Sequence, residues 1–235
     1  MKKHAFLTVL LLVCFAGSVA ASETDVLISQ LKSVDSAKRL AAAKELGERK
    51  DPRAVNPLLS VLKDDRNWDV RLAAEEALVS IGSPAVGPLL QVLTGDKNCF
   101  VRRRAVRAVK DTKDPCATEV LLDVAAKDAD CCVRRFAARA LADINDPKAT
   151  EFLNNALQKK NFEIISGAYR YYVRKGKAGT EEVLIEAMQG CYEKKMVLDL
   201  ANCGNDKLKK AADEIAQKRG YTMTAEWSGP KWGEI

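Results

Sequence analysis

Histidine is almost missing from this sequence: His4 is the single copy in 235 residues. That shortage excludes Ser-His and Cys-His nucleophilic pairs and most zinc sites. No CxxC or CxxCH spacing occurs, which removes thiolate zinc and covalent haem. Aromatics make up only 6%, and strand-like alternation is lacking, so a sandwich or barrel is not expected. No apolar run approaches the roughly 20 residues of a spanning helix. Charge of one sign does not dominate, since 38 Lys and Arg are interleaved with 32 Asp and Glu for a net +6. That is not the footprint of a dedicated nucleic-acid binder. Glu75-Glu76 and Glu181-Glu182 are adjacent helix charges, not spaced acid/base pairs. No catalytic residue, metal site or cofactor is therefore expected, and the chain does not read as an enzyme.

The first residues read as a secretory signal peptide over 1–21. Lys2 and Lys3 precede the apolar run Phe6–Ala16, and Ser18-Val19-Ala20 or Val19-Ala20-Ala21 supplies a small-residue cleavage site. Cleavage would remove His4, Lys2 and Lys3, and would place the protein in the periplasm or outside the cell. The mature chain is expected to lack a transmembrane segment and to be a monomer.

What is abundant is repetition. Val70–Pro84 reads VRLAAEEALVSIGSP, with Val70, Ala74, Ala77, Leu78 and Ile81 on one helical face. The opening Val or Ile recurs at Val70, Val101, Val133, Ile165 and Val197, in steps of 31, 32, 32 and 32 residues. A second marker, the Pro that opens each second helix, recurs at Pro52, Pro84, Pro115 and Pro147, in steps of 32, 31 and 32. Asp51, Ser83, Asp114 and Asp146 precede these prolines as expected N-caps. A lone helix pair cannot bury its apolar face, but stacked pairs build one continuous core. The expected fold is all-α, a right-handed α-α superhelix of about six helix pairs. The array should run over 22–192, with capping helices and an aromatic tail over 193–235.

The V-R-x-x-A-x-x-A-L pattern with its D-P turn resembles HEAT-like repeats of the short, phycobilisome-lyase type. The resemblance covers about residues 35–190. It implies a solenoid and leaves function open. The iron-binding deoxyhypusine hydroxylase branch needs His-Glu motifs that this sequence does not have. The run from Gly167-Ala168-Tyr169 through Asn202-Cys203-Gly204-Asn205 to Trp232-Gly233 resembles the C-terminal part of exported bacterial HEAT-repeat proteins.

Arginine is the first candidate for function. Arg39, Arg71, Arg102 and Arg134 share one offset and should form a ladder along the array. Asp64, Asp96 and Asp128, in the turns, are candidate partners for a structural role; an anion-binding stripe is the alternative. Arg103, Arg104, Arg107, Arg135 and Arg139 crowd two adjacent helices and form a candidate exposed basic patch for an acidic partner.

Six cysteines follow the signal: Cys99, Cys116, Cys131, Cys132, Cys191 and Cys203. A disulfide from Cys99 to Cys131 or Cys132 is a candidate, strained by a helix spacing of roughly 8–10 Å; small buried thiols are the alternative. Tyr169, Tyr171, Tyr172, Tyr221, Trp227 and Trp232 form either a lid over the last repeat or an aromatic binding surface. The expected function is a non-enzymatic binding scaffold for an unidentified protein or peptide. The alternative is a lyase-like accessory protein holding a small ligand or chromophore in the concave groove. Nucleic acid is not an expected partner.

Overall fold

The structure is a computed structural model that describes residues 22–144, 146–190, 193–223 and 229–234. The signal segment, Cys191 and Trp227 lie outside the described residues.

Asp or Asn opens nearly every first helix, because its carboxylate or amide oxygen accepts a backbone N–H that the helix leaves unmet. Asp35 accepts from Ala37 N at 2.8 Å, Asn67 from Asp69 N at 2.8 Å, and Asn98 from Phe100 N at 2.9 Å. Asp130 accepts from Val133 N at 3.0 Å and Asn161 from Ile164 N at 3.3 Å. Second helices start as expected at Asp51, Asp114 and Asp146, each accepting from the N–H two residues on. Ser83 departs from that pattern. Gly82 (φ 77°) ends one helix and caps the next, so Ser83 is already helical and donates to Asp114 in the following repeat at 2.7 Å.

Thirteen α-helices and no strand occur among the described residues. They are α1 (Glu23–Gln30), α2 (Ser36–Arg49), α3 (Val55–Asp64), α4 (Trp68–Ile81), α5 (Ser83–Gly95), α6 (Cys99–Thr112) and α7 (Thr118–Lys127). The remainder are α8 (Cys131–Ile144), α9 (Pro147–Gln158), α10 (Phe162–Lys175), α11 (Glu181–Gly190), α12 (Lys194–Ala201) and α13 (Asp206–Arg219). The lone α1 closes one end, and six pairs follow it. The predicted core residues of α4, Val70, Ala74, Ala77, Leu78 and Ile81, are all buried, as are Ala105, Ala108 and Val109 in α6. The chain is an α-α solenoid.

Helices α2, α4, α6, α8 and α10 pack side by side more closely than their partners α3, α5, α7 and α9 do. These first helices form the tighter, inner layer of the array. Small residues permit the approach. A Cβ placed on Gly47 would lie 2.8 Å from the Ala77 Cα, and one on Gly167 would lie 2.5 Å from the Arg135 carbonyl oxygen. Lys50 and Lys113 end α2 and α6 in the left-handed region, at φ 52° and 53°, where glycine is the usual residue.

The fifth repeat swaps small core residues for tyrosines. Tyr169, Tyr171 and Tyr172 are all buried. The Tyr169 hydroxyl donates to Asp199, and that of Tyr172 to the Leu153 carbonyl at 2.7 Å. Burial first, then Asp199, pushes the Tyr169 phenol up. The tail docks here: Trp232 N donates to Cys203 O at 2.8 Å and Gly233 N to Val173 O at 2.9 Å. A Cβ on Gly176 would meet Gly233 at 2.4 Å. The segments singled out as resembling the end of exported repeat proteins thus meet in one place. Tyr169, Tyr171 and Tyr172 serve as core, and for these three the binding-surface reading falls because their rings are covered.

Candidate functional site: the cationic inner face

The ladder arginines sit at the fourth position of α2, α4, α6 and α8. Each donates from Nη1 to the carbonyl six residues earlier: Arg39 to Ser33 at 2.8 Å, Arg71 to Asp65 at 2.6 Å, Arg102 to Asp96 at 3.0 Å and Arg134 to Asp128 at 2.5 Å. Three also fork onto the carboxylate of the next turn. Arg39 holds Asp65 at 2.5 and 2.9 Å, Arg102 holds Asp128 at 2.8 and 2.9 Å, and Arg134 holds Glu163 at 2.5 and 2.7 Å. Each fork joins one repeat to the next.

Two details differ from the sequence reading. The first carboxylate is Asp65, not Asp64. Asp64 is the exposed last residue of α3, whereas Asp65 also accepts the Asn67 N–H at 2.8 Å. Arg71 makes no fork. The candidate carboxylate Asp96 lies 3.5 Å from Lys63 instead, and the Arg71 guanidinium sits 5.9 Å from the Trp68 ring centroid.

The candidate basic patch is largely neutralised. Arg103 grips Asp130 through two bonds of 2.8 and 2.5 Å, which hold the Asp130 carboxyl down at about 2. Arg104 is buried, stacks 4.5 Å from the Trp68 centroid, and lies 3.6 Å from Glu75. Arg107 approaches Glu75 at 3.3 Å. Burial raises the Glu75 carboxyl, against the pull of Arg107 and Arg104. Arg135 pairs with Glu193 at 3.0 Å. Asp130, Glu75 and Glu193, on neighbouring helices and turns, take up these charges. Arg139 is the exception. It lies over Phe136 at 5.8 Å, and no carboxylate among the described residues pairs with it.

Cys99, Cys131 and Cys132 carry free thiols, so the candidate disulfide is not formed. The guanidinium of Arg103, locked on Asp130, is an electrostatic neighbour of both Cys99 and Cys132. Cys131 is exposed, and what burial it has raises its thiol. Cys203 is buried and donates to the Leu200 carbonyl at 3.1 Å.

Two clefts adjoin the patch. The larger, about 550 Å³, lies between α8, α10 and α11 and is lined by Cys131, Arg135, Phe162, Glu163 and Glu193. Its charges are balanced, because Arg134 holds Glu163 and Arg135 holds Glu193. The smaller, about 150 Å³, lies between α6, α8, α10 and α12. Lys110, Arg139, Arg170 and Lys195 line it, with Asp143 as the carboxylate. Arg170 and Lys195 were not singled out from sequence, because they lie where the Val-Arg template has lapsed.

The sequence model for HEAT repeats matches residues 24–110, 86–174 and 118–191. The chain belongs to the HEAT-repeat family. Solved structures similar to this HEAT-repeat protein include an engineered protein, 22% identical, with 83% of this chain and 97% of that one covered at a TM-score of 0.36. Another is the complex of CpcE and CpcF of phycocyanin lyase from Nostoc sp. PCC7120, 18% identical, with 83% and 94% covered at a TM-score of 0.36. No curated protein matches the sequence. Among the described residues of this HEAT-repeat chain, no helix is long and apolar enough to cross a membrane.

Proposed function

We propose that the protein is an exported, non-enzymatic scaffold that binds a protein or peptide partner along the inner face of its HEAT-repeat array. The observation that carries this reading is the layer of first helices, where half-buried cations from successive helices (Lys110 on α6, Arg139 on α8, Arg170 on α10) line one cleft. A surface of this kind favours acidic groups on the partner. Export rests on the Lys2-Lys3, apolar-run and small-residue pattern of the first 21 residues. No specific observation favours the chromophore-holding alternative.

The test is site-specific photocrosslinking in cells, with the crosslinker at Lys110 on the inner layer or at Glu151 on α9. A discrete adduct from Lys110 and none from Glu151 is the expected result. Equal adducts from both positions, or none from Lys110, would overturn the reading. The mass of the protein recovered outside the cytoplasm checks export, with cleavage expected after Ala20 or Ala21.

A further inference from the structure

We propose that the cleft between α6, α8, α10 and α12 is a binding site for a single oxyanion group, phosphate or carboxylate, held by Arg139, Arg170 and Lys195.

The argument is one of converging charge in a confined space. Four inner helices each send one cation to a cleft of about 150 Å³: Lys110, Arg139, Arg170 and Lys195. The carboxylates nearby are already engaged. Asp111 holds Lys110 at 2.7 Å, and Asp143 lies 3.7 Å from Arg174. Asp199 is divided between Arg170 at 2.8 Å, Lys195 at 3.4 Å and the Tyr169 hydroxyl. Among the described residues the cluster gathers five cations against three carboxylates, and Arg139 faces none of the three as a partner.

The walls are preorganised. Tyr169 is buried and Asp199 is 8% exposed at its side chain, so Arg170 is anchored at its base. Gly167 lets α10 press against α8, which narrows the space. Like charges held at fixed positions repel one another, and an oxyanion between them relieves that repulsion while accepting charge-assisted hydrogen bonds. The volume admits a single phosphate or carboxylate group. This site does not depend on the scaffold reading, although an acidic side chain or terminal carboxylate of a partner would be one source of the group.

Calorimetric titration of the full chain with sodium phosphate, and separately with sodium acetate, tests it, each against sodium chloride at matched ionic strength. Saturable heat from either oxyanion, beyond chloride, is expected, and the oxyanion that gives it identifies the source. Arg139→Gln and Lys195→Gln should each weaken binding by about tenfold, while Lys209→Gln, which removes an exposed charge from α13, should leave it unchanged. Lys195 is 66% exposed at its side chain, so its variant keeps the fold even if Arg139→Gln does not. Absence of saturable binding, unaltered binding in Lys195→Gln, or equal weakening in Lys209→Gln would each overturn the proposal. Partner crosslinking without oxyanion binding would sink this site and leave the scaffold intact; the converse pattern would do the reverse.

Discussion

Glu75 and Arg104 face each other at 3.6 Å across α4 and α6, both shut from solvent, and the facing Oε2 and Nη1 complete no hydrogen bond. Their charges hold each other in place without full satisfaction. Removing one partner leaves a buried charge uncompensated, whereas replacing both with apolar side chains removes the desolvation cost. Glu75→Leu alone is expected to cost about 3 kcal/mol, and Glu75→Leu with Arg104→Met to recover most of it. Urea midpoints of the two single variants and the double variant give the cycle. Additive losses would contradict it.

Gly47 and Gly167 should tolerate no side chain. The missing methyl of Gly47 would press on the Ala77 backbone at 2.8 Å, and that of Gly167 on the Arg135 carbonyl at 2.5 Å. Gly47→Ala and Gly167→Ala are each expected to destabilise by about 1–3 kcal/mol, although alanine favours helix elsewhere. Gly190→Ala, at a position with open space, is the control, and thermal melts of the three variants decide it.

Lys50 and Lys113 bear a strain that glycine would relieve. Both adopt φ near 50° at a helix end, where a Cβ crowds the backbone. Lys50→Gly and Lys113→Gly are expected to stabilise by about 0.5 kcal/mol each, the relief exceeding the unfolded-state entropy that glycine adds. A lower melting temperature in both would refute this.

Acid should loosen the joints between repeats. Asp65 and Asp130 lie below the ordinary 3.8 chiefly through Arg39 and Arg103. Asp128 is raised by burial, but Arg102 and a backbone N–H outweigh that and leave it low. An unfolded chain takes up protons near the ordinary value, before the folded one does. Stability is thus fully present above about pH 4 and is lost as pH falls toward about 2, the value of Asp130. Melting temperature against pH should drop less steeply over that window in Asp130→Asn than in the parent. Parallel curves would count against it.

Much of the architecture is legible in the sequence, because Val70, Val101 and Val133 keep a period that only stacked helix pairs explain. The ladder position is legible for the same reason. Its partners are less so. Asp64 and Asp65 are neighbours in sequence, and only the end of α3 decides which one turns inward. The fate of Arg103 and Arg135 is invisible to local pattern, since Asp130 and Glu193 lie 27 and 58 residues away along the chain. The cleft escaped notice because Arg170 and Lys195 follow no repeat rule, and the docking of Trp232-Gly233 depends on a contact made only after folding.

The absence of a forward fork at Arg71 gives the array an uneven compliance. From α2 to α10, the α4–α6 joint is the least closely packed of the inner contacts, and it is bridged by the imperfect Glu75–Arg104 pair and by the stacking of Arg104 on Trp68. A load applied along the solenoid would concentrate there. The α4–α6 joint is therefore where the array is expected to yield first.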